Sequence, residues 1–209
     1  MVQKKACGVY IKYLLLFTTI LSFSKMSLWD PEAAGNAALW LRLPADDMMA
    51  IQTAEYPGRN AVWVPFAETG YAKALVTGPS DKPGMQKVTR ADGKEKEYKD
   101  SEIEFQNPPK YELLEDLANM TYLSEAAVVY NLSERYQKFM IYTYSGLFCI
   151  TVNPYKWLSV YDNHVVGIYK GKRKNEMPPH IFSISDNAYN DMLRDRHNQS
   201  MLITGRNLL

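Results

Sequence analysis

Between Ala61 and Phe105 the chain turns back on itself again and again within about 45 residues, and this constrains its fold more than any other feature. The runs Ala61-Val-Trp-Val64, Tyr71-Ala-Lys-Ala-Leu-Val76, Gln86-Lys-Val-Thr89 and Ser101-Glu-Ile-Glu-Phe105 alternate as short strands do. Gly70, Gly78-Pro79, Pro83-Gly84 and Asp92-Gly93 supply the turns between them. An open sheet of so few residues buries too little apolar surface and leaves long unpaired edges, so closure into a small barrel is the economical solution.

An SH3-type barrel over residues 61–106 is therefore expected. Its charges nearly cancel: Lys73, Lys82, Lys87, Arg90, Lys94, Lys96 and Lys99 stand against Glu68, Asp81, Asp92, Glu95, Glu97, Asp100, Glu102 and Glu104. No basic face for nucleic acid follows. The whole chain repeats the balance, with 24 Lys+Arg against 23 Asp+Glu and a formal net charge of +1, which removes any bulk electrostatic case for nucleic acid or an anionic membrane. A hydrophobic content of 46% and 15 tyrosines argue for a folded chain. Cys7 and Cys149 lie too far apart to make a metal-ligand pair on one loop and do not make a disulfide scaffold, so a reducing compartment is the default.

The flanks of the barrel differ from it. Residues 1–25 form an apolar leader in which Lys4, Lys5 and Lys12 precede the run from Tyr13 to Phe23. That run has the length of a secretory signal and is too short for a bilayer span of roughly twenty residues. A second reading starts the protein at Met26. Residues 26–60 are polar and broken by Asp30-Pro31, Gly35-Asn36 and Tyr56-Pro57-Gly58, and read as an arm with short helical turns.

After Asn107-Pro108-Pro109 the period becomes helical. Leu113, Leu114 and Leu117 predict a short helix with Glu112, Glu115 and Asp116 in its first turn. Ser124 is the expected N-cap of a second helix, whose Ala127, Val128, Asn131, Leu132 and Tyr136 make a stripe. Met140 to Val152 reads as strand, turning at Tyr144-Ser145-Gly146, with the apolar run Leu147–Val152 suited to a covered sheet. Pro178-Pro179 opens a further helix with Ile181, Ile184, Ala188 and Met192 on one face, and Gln199–Gly205 reads as a short strand. The order strand, helix, strand marks the start of an α/β unit, so the fold class is mixed: a small barrel followed by the beginning of an α/β domain over 107–209.

Few residues announce chemistry. His164, His180 and His197 lack partners at metal-ligand spacing, and no serine or cysteine sits in a nucleophile elbow. The basic run Lys170-Gly-Lys-Arg-Lys174 reads as a solvated loop, with phosphate contact as the alternative. The stretch Asn153-Pro154-Tyr155-Lys156-Trp157-Leu158-Ser159-Val160-Tyr161 offers an aromatic wall, amide and phenol groups and a cation, which together suit a purine base. A proline turn with its aromatics packed inward fits the same residues.

Leu113–Met120, Glu125–Tyr136, Ile141–Phe148, Asn153-Pro-Tyr-Lys-Trp-Leu158, Tyr169-Lys-Gly-Lys172 and Pro178–Tyr189 stand in the order and spacing of a myosin heavy chain. The sequence resembles the conventional, muscle-type class II members from roughly Leu39 to Gly205. The resemblance implies an SH3-like domain ahead of an actin-activated ATPase motor that uses ATP and magnesium. It implies actin, myosin light chains and a second heavy chain as partners, and a cytoplasmic, filament or cytoskeletal location. In the family the Asn-Pro-x-Lys loop lines the adenine pocket. Asn153, Pro154, Tyr155 and Lys156 match that loop, Tyr161 matches the tyrosine at its far end, and Trp157 matches an aromatic of muscle members.

Gly205 matches the first glycine of the family's phosphate-binding loop, G-x-x-x-x-G-K-[ST], which cradles the phosphates and holds magnesium. The sequence here ends Gly205-Arg-Asn-Leu-Leu209, so the rest of that loop and the magnesium site are not in it, nor are the actin-binding regions. The expectation is an amino-terminal myosin segment, inactive as an ATPase alone and binding ATP more weakly than about 1 mM. The rival expectation is a non-enzymatic product whose SH3-like barrel serves as an interaction module.

Overall fold

The computed structural model describes residues 31–205. The leader reading of residues 1–25 and the Met26 start lie outside them. In chain order the elements are α1 (Pro31–Ala34), α2 (Ala38–Leu41), α3 (Ala45–Gln52), β1 (Ala61–Phe66), β2 (Gly70–Pro79), β3 (Met85–Arg90), β4 (Glu95–Lys99), β5 (Glu104–Phe105), α4 (Glu125–Gln137), β6 (Tyr142–Ser145), β7 (Phe148–Thr151), α5 (Asn163–Tyr169) and α6 (Ile181–Asp195). None of the described helices is long and apolar enough to cross a membrane. The chain divides into two units, one of residues 42–155 and the other built from 31–41 with 156–205.

In the first unit, five antiparallel strands lie in the order β4-β3-β2-β1-β5, the SH3-like arrangement expected over this stretch, within a mixed α/β chain. Successive strands are neighbours until the chain leaves β4, makes a 3₁₀ turn at Asp100–Glu102 and returns to the far side of β1. Side chains from four strands, Val62, Val64, Ala74, Val88 and Tyr98, form the core of the sheet, with Ile103 packed against them. β1 is buried on both faces over Ala61–Val64, which accounts for its unbroken apolar run. A bulge between Val76 and Gly78 shifts the β2–β3 register.

Two strand expectations need correction here. Glu95–Lys99, which the expected strands leave out, is β4, because Tyr98 turns inward while its charged neighbours face outward. The expected strand Ser101–Phe105 shrinks to Glu104–Phe105 because the 3₁₀ turn takes its first residues.

The helix expected around Leu113–Leu117 does not form either. Leu113 sits at φ 56°, in the left-handed region, and short 3₁₀ turns at Pro109–Tyr111 and Leu117–Asn119 flank an extended stretch. The cause is competition from tertiary partners. The Asn131 side chain of α4 accepts from Leu114 N at 2.9 Å and donates to Leu114 O at 3.1 Å. One turn on, Arg135 donates to Leu113 O at 2.9 Å. Tyr144 N donates to Glu115 O at 2.7 Å, and Asp116 Oδ1 accepts from both Ala118 N and Gly146 N. Arg42 forks onto Glu115 through two bonds of 2.6 Å. These bonds occupy the backbone groups that a helix would need.

α4 begins as expected, with Ser124 Oγ accepting from Ala127 N at 3.2 Å. Its buried residues are Ala126, Ala127, Asn131 and Arg135, so a guanidinium stands where the sequence pattern places Leu132 and Tyr136. β6 and β7 form a hairpin through Gly146, at φ 58°. The start of the apolar run after it is uncovered, with Leu147 95% and Phe148 75% exposed, while Cys149, Ile150 and Val152 are half-buried.

In the second unit α1 packs against α5, and Ala34 O lies 3.0 Å from His164 Nε2. α5 buries Val165, Val166, Ile168 and Tyr169. α6 buries Phe182, Ser183 and Asp186, a stripe rotated from the expected Ile181, Ile184, Ala188 and Met192, which are half-buried. Residues 196–205 are irregular and lie in no ladder, so the strand expected over Gln199–Gly205 is absent. A lone strand leaves its backbone groups unpaired and has no reason to persist without a neighbour.

Candidate functional site

The hairpin β6–β7 delivers the chain to Asn153. There Asn153 Oδ1 accepts from Tyr155 N at 2.9 Å, a turn that mimics a backbone hydrogen bond, and Tyr155 takes φ 51°. Tyr136 OH on α4 donates to Asn153 O at 3.3 Å. Pro154 is half-buried, whereas Asn153 and Tyr155 are exposed, Tyr155 by 74%. The turn therefore presents an amide and a phenol ring outward from a backbone held by local bonds.

The remaining expected residues belong to the second unit. Lys156 Nζ stands 5.2 Å from the centre of the Trp40 ring. Trp157 is 85% exposed, but Leu158 and Val160 are buried and anchor the 3₁₀ turn Ser159–Tyr161. Tyr161 lies 5.7 Å from the His180 ring and 6.3 Å from Phe182, with 42% of its surface exposed. Gly205 is exposed and irregular, and a Cβ built there meets nothing within 4 Å. The structure thus joins Asn153 to Tyr155 in one turn and sets Tyr161 on an aromatic cluster, while Gly205 lies in irregular chain.

His180 is a structural residue. Its Nδ1 accepts from Phe182 N at 3.0 Å and caps α6, and its ring packs 5.1 Å from Tyr169 and 4.4 Å from Phe182. Burial pushes its imidazole down to about 3, with the Val160 backbone acting weakly the other way. In the basic loop, Gly171 N donates to Asp186 Oδ2 and Arg173 N to Glu176 Oε2, both at 2.9 Å. Burial raises the Asp186 carboxyl above the usual range, opposed by that Gly171 bond. Among the described residues no cluster of three His, Cys, Asp or Glu is placed to hold a metal ion.

Sequence reasoning passed over two polar constellations, both in the first unit. One is the Arg135 cluster; Arg135 is 2% exposed and also donates to Thr143 Oγ1 at 2.9 Å and Tyr142 O at 2.8 Å. The other surrounds Lys73, whose Nζ reaches Tyr130 OH at 2.7 Å and Glu112 Oε1 at 3.1 Å. Their members lie up to 67 residues apart, from Trp63 to Tyr130, so no spacing rule finds them.

An antiparallel sheet of SH3-like order leads into a helix, a hairpin and an outward-facing Asn-Pro turn: a mixed α/β chain. Residues 114–207, a little under half of the chain, match the family described as myosin head (motor domain). That similarity supports a myosin family member, and it spans α4, the hairpin and the whole 153–161 stretch.

Proposed function

We propose that this chain carries the SH3-like domain and the opening of the motor domain of a class II, muscle-type myosin heavy chain, and that residues 153–161 meet the adenine of ATP. The observation that carries this reading is the myosin-head match over 114–207, which includes the exposed turn Asn153–Tyr155. A purine is a flat ring with polar edges. Exposed aromatic faces at Tyr155 and Trp157 and the Asn153 amide supply what such a ring takes up. Lys156 brings a cation to the same stretch, and Tyr161 a second phenol.

Gly205 matches the first glycine of the phosphate-binding loop on this reading; the hydroxyl that would hold magnesium in such a loop is not among these 209 residues. In the family actin, light chains and a second heavy chain are the partners, through regions that are not among these 209 residues, and the cytoplasmic myosin filament is the location this reading implies. The amides and lysine that grip a triphosphate contribute most of the affinity in such loops. The 209-residue chain, which holds only the base-contacting side, therefore binds ATP more weakly than about 1 mM.

Titration of ¹⁵N-labelled chain with magnesium ATP, followed amide by amide, tests this. Saturable shifts at Tyr155, Lys156, Trp157 and Tyr161 with millimolar affinity are expected. Micromolar binding would overturn the division between base and phosphate contacts, and shifts that bypass 153–161 would overturn the adenine assignment.

A further inference from the structure

We propose that Trp63, Tyr130 and Glu112 form a cation site that the chain fills with its own Lys73, and that this occupied site docks the five-stranded sheet onto α4. The ammonium lies 4.1 Å from the centre of the Tyr130 ring and 5.7 Å from that of Trp63. The two rings are 4.9 Å apart and inclined at 47°, so they make two walls of one recess. Glu112 Oε1 at 3.1 Å and the Tyr130 hydroxyl oxygen at 2.7 Å accept from the ammonium. Two aromatic faces and a carboxylate around one nitrogen make the chemistry that recognises an alkylammonium.

Each wall comes from a different part of the unit: Trp63 from β1, Lys73 from β2, Glu112 from the extended stretch before α4, and Tyr130 from α4 itself. The Trp63 indole N–H has no hydrogen-bond partner among the described residues, so that ring contributes through its face. Burial, helped by Glu112 and Glu134, holds the Tyr130 phenol above its usual value, which keeps it neutral. A shallow open cleft runs beside the site, lined by Trp63, Tyr111, Glu112, Met120 and Tyr130. Removing the lysine side chain vacates the space that an alkylammonium from solution would take.

The test uses the 209-residue chain with Lys73→Met, Lys73→Arg and Lys73→Ala, read by hydrogen exchange of peptides from β1, β2 and α4. Lys73→Met keeps length and loses charge, and is expected to speed exchange there about 5- to 30-fold, while Lys73→Arg stays near the parent. In Lys73→Ala, n-butylammonium restores protection and n-butanol does not. Unchanged exchange in Lys73→Met, or equal protection by the alcohol and the ammonium, would overturn the proposal. The readout does not depend on nucleotide, so it stands or falls separately from the ATP assignment.

Discussion

Arg135 shows how one residue can decide the path of its neighbours. Buried and, among the described residues, without a carboxylate in hydrogen-bond contact, its guanidinium is drawn down to about 10 by burial, with Glu115 raising it and Arg42 lowering it. It stays charged at neutral pH and joins α4 to Leu113, Tyr142 and Thr143. Replacement by Met leaves three acceptors buried, and a loss of about 2 to 4 kcal/mol is expected in urea unfolding. A loss below about 0.5 kcal/mol would show that water replaces those bonds. His180 contributes a pH dependence of its own. Its folded pKa of about 3 lies below the unfolded value of 6.5, so the unfolded chain takes the proton first. Its contribution is complete above about pH 6.5 and falls as the pH drops toward 3. His180→Asn, which can still cap α6 but does not titrate, should flatten that part of the stability profile relative to the parent. Identical acid limbs would place the titration elsewhere. Ser124 was legible as a cap because capping is local. Arg135 was not, since a charged residue in a helix reads as exposed until its partners, 7 to 22 residues away, are known.

Among elements, those whose shape depends on local pattern were legible. β1, β2, β3, α4 and α6 follow from alternation, glycine turns and caps. The misreadings share a cause in tertiary partners. Residues 112–117 have the composition of a helix but surrender their backbone groups to Asn131, Arg135 and Tyr144. Glu95–Lys99 has the composition of a loop but supplies Tyr98 to the core of the sheet. The 153–161 stretch was singled out through its family resemblance, since its residues alone suited a buried proline turn better. In the structure Tyr155 and Trp157 are exposed, and Leu158 and Val160 are buried.

At the scale of the whole molecule, apolar surface remains uncovered in both units. Leu147 and Phe148 cap the hairpin of one, while Trp157, Leu202 and Ile203 stand 76% to 88% exposed in the other. Such surface favours association. The 209-residue chain is expected to elute from size exclusion with light scattering as a mixture above monomer mass, and Leu147→Ser with Phe148→Ser should shift it toward monomer. An unchanged profile would clear the hairpin as the source. The division into 42–155 and 31–41 with 156–205 was not visible in composition, because it depends on which distant segments meet. The clamp that α4 places on Leu113 and Leu114 also bears on how the molecule is made. During synthesis residues 112–116 leave the ribosome before Asn131, Arg135 and Tyr144 exist to hold them. That stretch therefore takes its final shape later than the order of translation suggests, and until then it is free to try the helix its own residues prefer.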